Sequence, residues 1–268
     1  MIKFICFGSG SSGNCYYLYT ENTGLLIDSG VGIRAIKKYF RDREMPYRHI
    51  SHILVTHDHA DHVKSVGAVS TELSVPVYAT VPVHVGISQN YVVRAKVAEE
   101  NKRFIEKNEP FAVGDFEVTA FSVPHDSRDN VGYCVRCNGV CFVLITDAGY
   151  VTEEMKHYMS EANYLVVEAN HDREMLRNGH YPEFLKTRVA SPTGHLSNKE
   201  CADAIAENCT EKLKHVWLCH LSEENNHPEL AKKTVQTVLA QYGIVADKDF
   251  RLDVLKRRTP SQNYDLRP

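Results

Sequence analysis

The chain of 268 residues is 43% hydrophobic and 24% charged, as is usual for a soluble globular protein, and it is long enough to bury a full core. The formal net charge of −3 excludes a surface that is basic overall, although a local basic groove is compatible with it. No apolar run reaches the length of a membrane span, and the apolar stretch at the N-terminus is too short for a signal peptide.

Cysteine content and segment composition bear on location and domain organisation. Eight cysteines in a chain with no export signal favour reduced thiols in the cytoplasm. The sequence has no low-complexity tract, linker or clear internal repeat. We therefore expect a single domain over residues 1–268.

The N-terminal segment predicts three short strands, over residues 3–7, 15–19 and 25–27, which are apolar and bounded by small residues. Residues 8–14 form a Gly/Ser loop between the first two strands. Small residues there let backbone N–H groups approach an anion closely, although a plain turn explains the composition equally well. No Gly-Lys-Ser/Thr follows, so the loop is not a P-loop.

The most informative segment is residues 57–62, in which three histidines and two aspartates fall within six positions. The preceding residues 52–56 predict a short buried strand, because they are apolar and β-branched. Residues 63–73 carry apolar side chains at helical spacing. The cluster is therefore expected where a strand ends and a helix begins, which is where sites form in α/β sheets.

The spacing of these polar residues suits metal binding. His57 and His59 are two apart, so in an extended segment both imidazoles leave the same side and can reach one metal at about 2.0–2.1 Å. Asp61 and His62 follow at the turn into the helix and can face a second metal about 3.5–4 Å away. A solvated polar turn is the ordinary alternative, but such a turn does not require three imidazoles.

This H-x-H-x-D-H segment after an apolar strand resembles the signature of the metallo-β-lactamase fold. The resemblance implies an α/β fold of αββα type, in which two mixed β-sheets are flanked by helices, with further ligands at later strand ends. It also implies that Asp28, at the end of the third strand, supports the metal-binding loop without touching metal. Alternatively, Asp28 caps a helix predicted over residues 33–40.

The later motifs occur in the expected order. A strand over residues 114–123 precedes His125, and a hairpin over residues 131–145 with an Asn-Gly turn precedes Asp147. A strand that begins at residue 216 leads to His220. The resemblance implies two divalent metal ions, one held by His57, His59 and His125, the other by Asp61, His62 and His220, with Asp147 bridging. Zinc is the first choice for these ligands, and manganese is the alternative.

Three cysteines in the hairpin raise the question of a second metal site. With a two-residue turn, Cys134 and Cys141 lie on one face of the hairpin and Cys137 on the other. This geometry disfavours a zinc knuckle, so we interpret the three residues as small apolar side chains.

A second resemblance concerns catalysis. Glu168 lies at the end of a strand that begins at residue 164, and His195 directly precedes a helix that starts near Ser197. This pair resembles that of the tRNA 3′-processing nucleases of the same fold. The resemblance implies that Glu168 orients His195 and that His195 protonates the leaving oxygen. The alternative is that His195 has no role beyond its place at the helix start.

Residues 8–14 and 220–226 also resemble the YycJ/WalJ-type proteins of bacteria, a family associated with 5′-to-3′ exonuclease activity on DNA. The resemblance implies a binuclear phosphodiesterase in which a metal-bridging hydroxide attacks DNA and Asp61 takes part in catalysis. The expected phosphate contacts are Ser11, Ser12, Asn14 and Asn225. No membrane partner is expected, and the oligomeric state is left open.

The distance between Asp147 and His220, 73 residues, is too short for the large inserted domain of RNA-processing members. The main alternative function is a small-molecule hydrolase of the same fold, either a thioesterase of the glyoxalase II kind or a hydrolase of cyclic nucleotides or small phosphodiesters. At the C-terminus the pattern predicts a helix over residues 228–242, a strand over residues 250–255 and a loose tail over residues 259–268.

Overall fold

The computed structural model describes residues 1–268, which form four layers: two seven-stranded β-sheets packed face to face, with helices on both outer sides. The first sheet is built from β1 (Ile2–Gly8), β2 (Cys15–Tyr19), β3 (Gly24–Ile27), β4 (Ile50–Leu54), β5 (Val77–Ala79), β6 (Lys102–Phe104) and β14 (Tyr264–Leu266). The second contains β7 (Phe111–Val113), β8 (Phe116–Ser122), β9 (Val131–Cys137), β10 (Val140–Ile145), β11 (Tyr164–Glu168), β12 (His215–Cys219) and β13 (Arg251–Val254).

Nine α-helices and two short 3-10 helices connect these strands. The α-helices are α1 (Ile33–Arg41), α2 (Ala60–Val63), α3 (Val66–Leu73), α4 (Val81–Gln89), α5 (Glu153–Glu161), α6 (Arg173–Asn178), α7 (Glu183–Val189), α8 (Asn198–Asn208) and α9 (Pro228–Gln241). The 3-10 helices are Tyr47–His49 and Glu99–Asn101. None of the helices combines the length and apolar character needed to cross a membrane.

Both sheets are mixed, which confirms the predicted αββα fold. In the first sheet the order is β14-β1-β2-β3-β4-β5-β6, with β3 to β6 parallel and the other pairs antiparallel. The second sheet has the order β13-β12-β11-β10-β9-β8-β7, with β10 to β13 parallel and the rest antiparallel. The parallel strands of each sheet end at one common edge, which gathers the loops that follow them.

Three apolar layers hold the sandwich together. Between the sheets lie large buried side chains from both, among them Phe4, Tyr133, Phe142 and Trp217. A second layer joins the outer face of the second sheet to α5, α8 and α9, and a third joins the first sheet to α1, α3 and α4. Strands with apolar residues on both faces are expected when both sides of a sheet are covered.

The local sequence signals explain where several elements begin and turn. Ser197 caps α8 in a capping box with Glu200, as its sequence predicts. The Asn138-Gly139 turn sets the hairpin register, pairing Cys137 with Val140 and Arg136 with Cys141, so the predicted register is confirmed. The sulfur atoms of Cys134 and Cys141 consequently lie 3.4 Å apart on one face.

The structure corrects three predictions. The helix expected over residues 63–73 is broken into α2 and α3 around Lys64 and Ser65. Asp28 does not cap α1, because the N-cap residue is Gly32 and the Asp28 carboxylate is bonded elsewhere. The C-terminal tail is not loose: β14 pairs antiparallel with β1, and Leu266 is buried.

We predict that Leu266→Ala lowers the free energy of unfolding by about 2 kcal/mol, because it removes buried methyl groups from the inter-sheet layer. The measurement is urea denaturation followed by circular dichroism. Arg267→Ala, at the exposed neighbouring position, serves as the control and should change stability by less than about 0.5 kcal/mol. Equal stability of both variants and the parent would show that β14 contributes nothing to the core.

Candidate metal centre

The predicted site residues come together at one edge of the sandwich, where strands from both sheets end. Residues 57–62 follow β4, His125 follows β8, Asp147 follows β10, and His220 follows β12. The two packed sheets therefore contribute to one cluster. Short parallel strands followed directly by polar residues place these side chains at the carboxyl edge, as the sequence predicts.

Three imidazoles form the first group. The nitrogen atoms of His57, His59 and His125 that could bind a metal all lie within 4.8 Å of one another. His125 Nε2 is 3.3 Å from His59 Nδ1, while His125 Nδ1 donates to the carbonyl of Gly194 at 3.0 Å. His57 is completely buried, and its Nε2 has no hydrogen-bond partner.

The second group contains Asp61, His62 and His220. Their candidate ligand atoms, two imidazole nitrogens and a carboxylate oxygen, also lie within 4.8 Å of one another. Asp61 Oδ2 lies 3.4 Å from His220 Nε2 and 3.6 Å from His62 Nε2. Both imidazoles are buried, and each is bound through its other nitrogen to a buried carboxylate: His62 Nδ1 donates to Asp28 Oδ2 at 2.7 Å, and His220 Nδ1 to Glu168 Oε1 at 3.0 Å. This arrangement fixes each ring and directs its Nε2 into the cluster.

Asp147 lies between the two groups. Its Oδ2 is 3.2 Å from His62 Nε2, and its Oδ1 is 3.6 Å from His220 Nε2 and 3.7 Å from His125 Nε2. A carboxylate has two oxygens, so one side chain at this position can face both groups at once.

Asp28 supports the loop in the way that the resemblance implies. Its Oδ1 accepts the backbone N–H of Thr56 at 2.8 Å, and its Oδ2 accepts the Thr56 hydroxyl at 2.8 Å as well as His62 Nδ1. A buried carboxylate with three donors holds the start of the 57–62 segment and the orientation of His62 together.

Glu168 connects the metal cluster to His195. The Oε1 atom of this fully buried side chain accepts from His195 Nδ1 at 2.8 Å and from His220 Nδ1. Its Oε2 atom accepts the backbone N–H groups of Ala148 and Leu196 at 2.9 and 3.1 Å. The sequence predicted the contact with His195 but not the one with His220. His195 is 14% exposed, so its ring is partly accessible beside the cluster.

Three site residues have a left-handed backbone that non-glycine residues rarely adopt: Asp28, Asp147 and His220, with φ of 61°, 55° and 52°. Asparagine amides bind the carbonyls of two of them. Asn130 Nδ2 donates to the carbonyl of Asp147 and Asn170 Nδ2 to that of His220, both at 2.9 Å. The sequence does not indicate these two asparagines, because nothing local marks which carbonyl they will meet.

Charge in the cluster is balanced by the imidazoles. Burial alone would raise the pKa of Asp147, but His220 and His62 hold that pKa well below its usual range. Burial would likewise lower the pKa of His220, yet Asp147, Asp61 and Glu168 raise it to about 10. Buried carboxylates thus draw protons onto these rings. A divalent cation would neutralise the same carboxylates and displace the protons.

The residues fit a divalent metal ion. The donor set consists of imidazole nitrogen and carboxylate oxygen, which are ligands of zinc and other first-row divalent ions. His57 supplies the most specific observation, since a buried ring nitrogen without any partner is costly unless something binds it. Burial, followed by the neighbouring His62, lowers the pKa of His57 well below its usual value and keeps this ring neutral, the form that binds metal.

The predicted phosphate contacts lie in different environments. Ser11 and Ser12 are exposed at the tip of the first loop, whereas Asn14 and Asn225 are buried. The Asn14 amide is already engaged: Oδ1 accepts from Gly10 N, and Nδ2 is 2.8 Å from His62 Nε2 and 3.2 Å from Asp61 Oδ2. Asn14 therefore positions the second group, a role that the Gly/Ser composition of its loop did not indicate.

Comparisons with known proteins agree on the family. The sequence profile described as the beta-lactamase superfamily domain matches residues 23–220. The chain is 35% identical over 261 residues to exodeoxyribonuclease YycJ of Bacillus anthracis, which covers 97% of this chain and 98% of that protein. It is 34% identical over 250 residues to exodeoxyribonuclease WalJ of Streptococcus pneumoniae, with 93% of each chain covered. Among solved structures, zinc-bound PqqB of Methylobacterium extorquens has the same fold, with a TM-score of 0.73, 19% identity and coverage of 98% of this chain and 100% of that one.

We predict that Asp28→Asn lowers the free energy of unfolding by about 2 kcal/mol, because one buried oxygen that accepts hydrogen bonds becomes an N–H donor facing donors. Zinc affinity should also fall, by about 10- to 100-fold, because His62 loses its carboxylate partner. Chemical denaturation and competitive zinc titration measure the two effects. The control is Asp42→Asn on an exposed turn, and unchanged zinc affinity in Asp28→Asn would contradict the supporting role.

Proposed function

This chain belongs to the β-lactamase superfamily and, within it, to the YycJ/WalJ family, and on that premise we propose that it degrades DNA as a 5′-to-3′ exonuclease. As a member it is a metal-dependent hydrolase. The observation that most supports phosphodiester cleavage is the ion pair of the buried Glu168 with His195 beside the metal cluster. Hydrolysis of a thioester has no need of such a pair, because a thiolate is less basic than a sugar alkoxide and leaves without protonation.

We propose two divalent ions as the cofactor. His57, His59 and His125 would hold the first, Asp61, His62 and His220 the second, and Asp147 would contribute to both. Zinc suits the imidazole-rich first group, and manganese suits the more oxygen-rich second group. When bound, such ions lower the pKa of water and polarise a phosphoryl oxygen.

The protein's own residues then supply orientation and a proton. Water oxygen forms a bond to phosphorus, the bond from phosphorus to the sugar O3′ breaks, and O3′ gains a proton while the water loses one. His195 holds the required proton. Burial lowers the pKa of its ring, but Glu168 and Asp147 together raise it by more, so the net shift is upward and favours the protonated ring. Glu168 also fixes Nδ1, which leaves Nε2 as the atom that donates to O3′.

We further propose that the first loop contacts the substrate, that the protein is cytoplasmic and that it acts as a single domain. Ser11 and Ser12, at the exposed tip of the first loop, would contact backbone phosphate, as would the buried Asn225. A cytoplasmic location is supported by eight free cysteine thiols, which are typical of a reducing compartment. The shared apolar layer between the two sheets supports residues 1–268 acting as one domain.

Asp61→Ala should lower metal stoichiometry from about two ions per chain toward one, and hydrolytic activity should fall with it, because the second group loses its only unshared carboxylate. Elemental analysis by mass spectrometry after gel filtration gives the stoichiometry. The matched control is Asp58→Ala in the same segment, whose carboxylate lies near Arg128 outside the cluster. Full occupancy in Asp61→Ala would remove Asp61 from the ligands.

His195→Ala should reduce cleavage of DNA by about 10²- to 10⁴-fold, the usual contribution of a general acid. The loss should be much smaller on bis(4-nitrophenyl) phosphate, because a phenolate departs without protonation. Steady-state rates on both substrates test this, with the exposed His157→Ala as control. Equal losses on the two substrates would argue against a leaving-group acid.

The experiment that tests the function is a nuclease assay on purified protein supplied with zinc or manganese. The substrates are single- and double-stranded DNA labelled at either the 5′ or the 3′ end, and the control is His59→Ala. We expect metal-dependent release of the 5′ label as a mononucleotide, absent in the variant. Failure to degrade DNA with either metal would overturn the proposal and favour the alternative small-molecule hydrolase, to be tested with thioesters and cyclic nucleotides.

A further inference from the structure

A cavity of about 460 Å³ opens beside His195. It lies between the ends of the second sheet and the helices α6 and α7, and Gly149, two residues after Asp147, forms part of its wall. The volume falls within the range of about 300–1,000 Å³ that is typical of small-molecule sites. The cavity is thus continuous with the catalytic cluster and large enough for one small ligand.

A buried histidine in this cavity has no function in the metal cluster. His171 is 3% exposed and lines the cavity, and its Nδ1 atom has no hydrogen-bond partner. Buried polar atoms in proteins are nearly always bonded, so the unpaired ring nitrogen of a cavity-lining residue can be satisfied by a ligand once the ring turns toward the cavity. The main chain of His171 is fixed by its pairing with Ser197 and Asn198, so only the ring has to move.

The walls formed by the two helices carry cations. Arg173, Arg177 and Lys186 line the cavity, against two carboxylates, in a chain whose net charge is negative. Lys186 is 16% exposed, and its Nζ donates to the carbonyl of Arg177 at 2.8 Å and to Glu183 Oε1 at 3.1 Å. The Arg177 side chain is 71% exposed, and its pairing with Glu174 is on the surface, where such pairs are weak and exchange easily.

We propose that this cavity is the subsite for the departing nucleotide, and that Arg177 and Lys186 bind its terminal 5′-phosphate while His171 supplies a further hydrogen bond. The inference rests on the proposed function, because His195 marks the leaving side only if it protonates the leaving oxygen. His195 belongs both to the cavity wall and to the pair with Glu168, so the group that leaves through O3′ enters the cavity.

The proposed subsite implies a polarity of degradation. When the bond from phosphorus to O3′ breaks, the group that keeps O3′ lies on the 5′ side of the scissile phosphate. A cavity of this volume is large enough for one nucleotide on that side. With the terminal nucleotide in the cavity, the substrate enters with its 5′ end first, and the cations meet the phosphate at that end.

Two measurements test the subsite. The first compares kcat/KM on 3′-labelled oligonucleotides that carry either a 5′-phosphate or a 5′-hydroxyl. The second is calorimetric titration of the metal-loaded protein with thymidine 5′-monophosphate and, separately, thymidine 3′-monophosphate, which carries the same phosphate group at the wrong position. The variants are the double substitution Arg177→Ala/Lys186→Ala and the single substitution His171→Ala, with Lys233→Ala on the exposed side of α9 as the control.

The parent protein should prefer the 5′-phosphorylated oligonucleotide, and the 5′-monophosphate, by about tenfold or more, the usual effect of charge-assisted hydrogen bonds. The double variant should lose both preferences, His171→Ala should weaken binding of the 5′-monophosphate, and Lys233→Ala should keep parental values. Thermal melting identifies a variant that fails to fold, and the double variant changes only cavity-wall residues outside the apolar layers.

The outcomes distinguish failure of the proposed subsite from failure of the proposed function. DNA degradation without any preference for a 5′-phosphate, or a preference that survives in the double variant, would overturn the subsite alone. Absence of DNA degradation would overturn the proposed function, while the titration would still decide the subsite: selective binding of the 5′-monophosphate that the double variant loses supports it, and equal binding of both monophosphates overturns it.

Discussion

The buried carboxylate of Glu168 is the interaction on which the rest of the site depends. Its four hydrogen bonds come from His195, His220, Ala148 and Leu196, which belong to three separate segments of the chain. Isolated burial of a charge costs several kcal/mol, so this carboxylate is stable only while all three segments are in place. The contacts with His195 and His220 hold the pKa of Glu168 at about 2, although burial alone would raise it. One side chain thus couples the candidate metal cluster to His195, the proposed acid.

Backbone strain at the strand ends also helps to fix the geometry of the cluster. Asp28, Asp147 and His220 each adopt a left-handed conformation, at a cost of about 1–3 kcal/mol per residue. The turn at each position redirects the chain as soon as the strand ends, which points the side chain back over the edge of the sheet. Hydrogen bonds from Thr56, Asn130 and Asn170 stabilise these turns. The stability of the surrounding sandwich sustains the strain, and the cluster gains a fixed geometry.

The two sides of the cluster differ, and the difference bears on where a substrate would bind. On one side Asn14 binds Asp61 and His62 and closes the second group. On the other side His195 faces a cavity with cationic walls, formed by two short helices between β11 and α8. These helices lie within the interval between Asp147 and His220 that is too short for an inserted domain. Substrate selection in this chain is therefore expected from a small local cavity.

The sequence by itself determined the features that local patterns encode. Strand and helix periodicity, the Asn138-Gly139 turn and the Ser197 cap act between near neighbours, so these elements and the run of candidate ligands from His57 to His62 could be predicted. The resemblance to known families extended the prediction to Glu168 and His195. Only the tertiary structure decided that the C-terminal tail becomes β14, that Glu168 also binds His220, and that Asn170 holds the carbonyl of His220. Each of these contacts joins residues far apart in the chain. Their partners are chosen by how the strands order within each sheet and how the sheets pack, which no local pattern specifies.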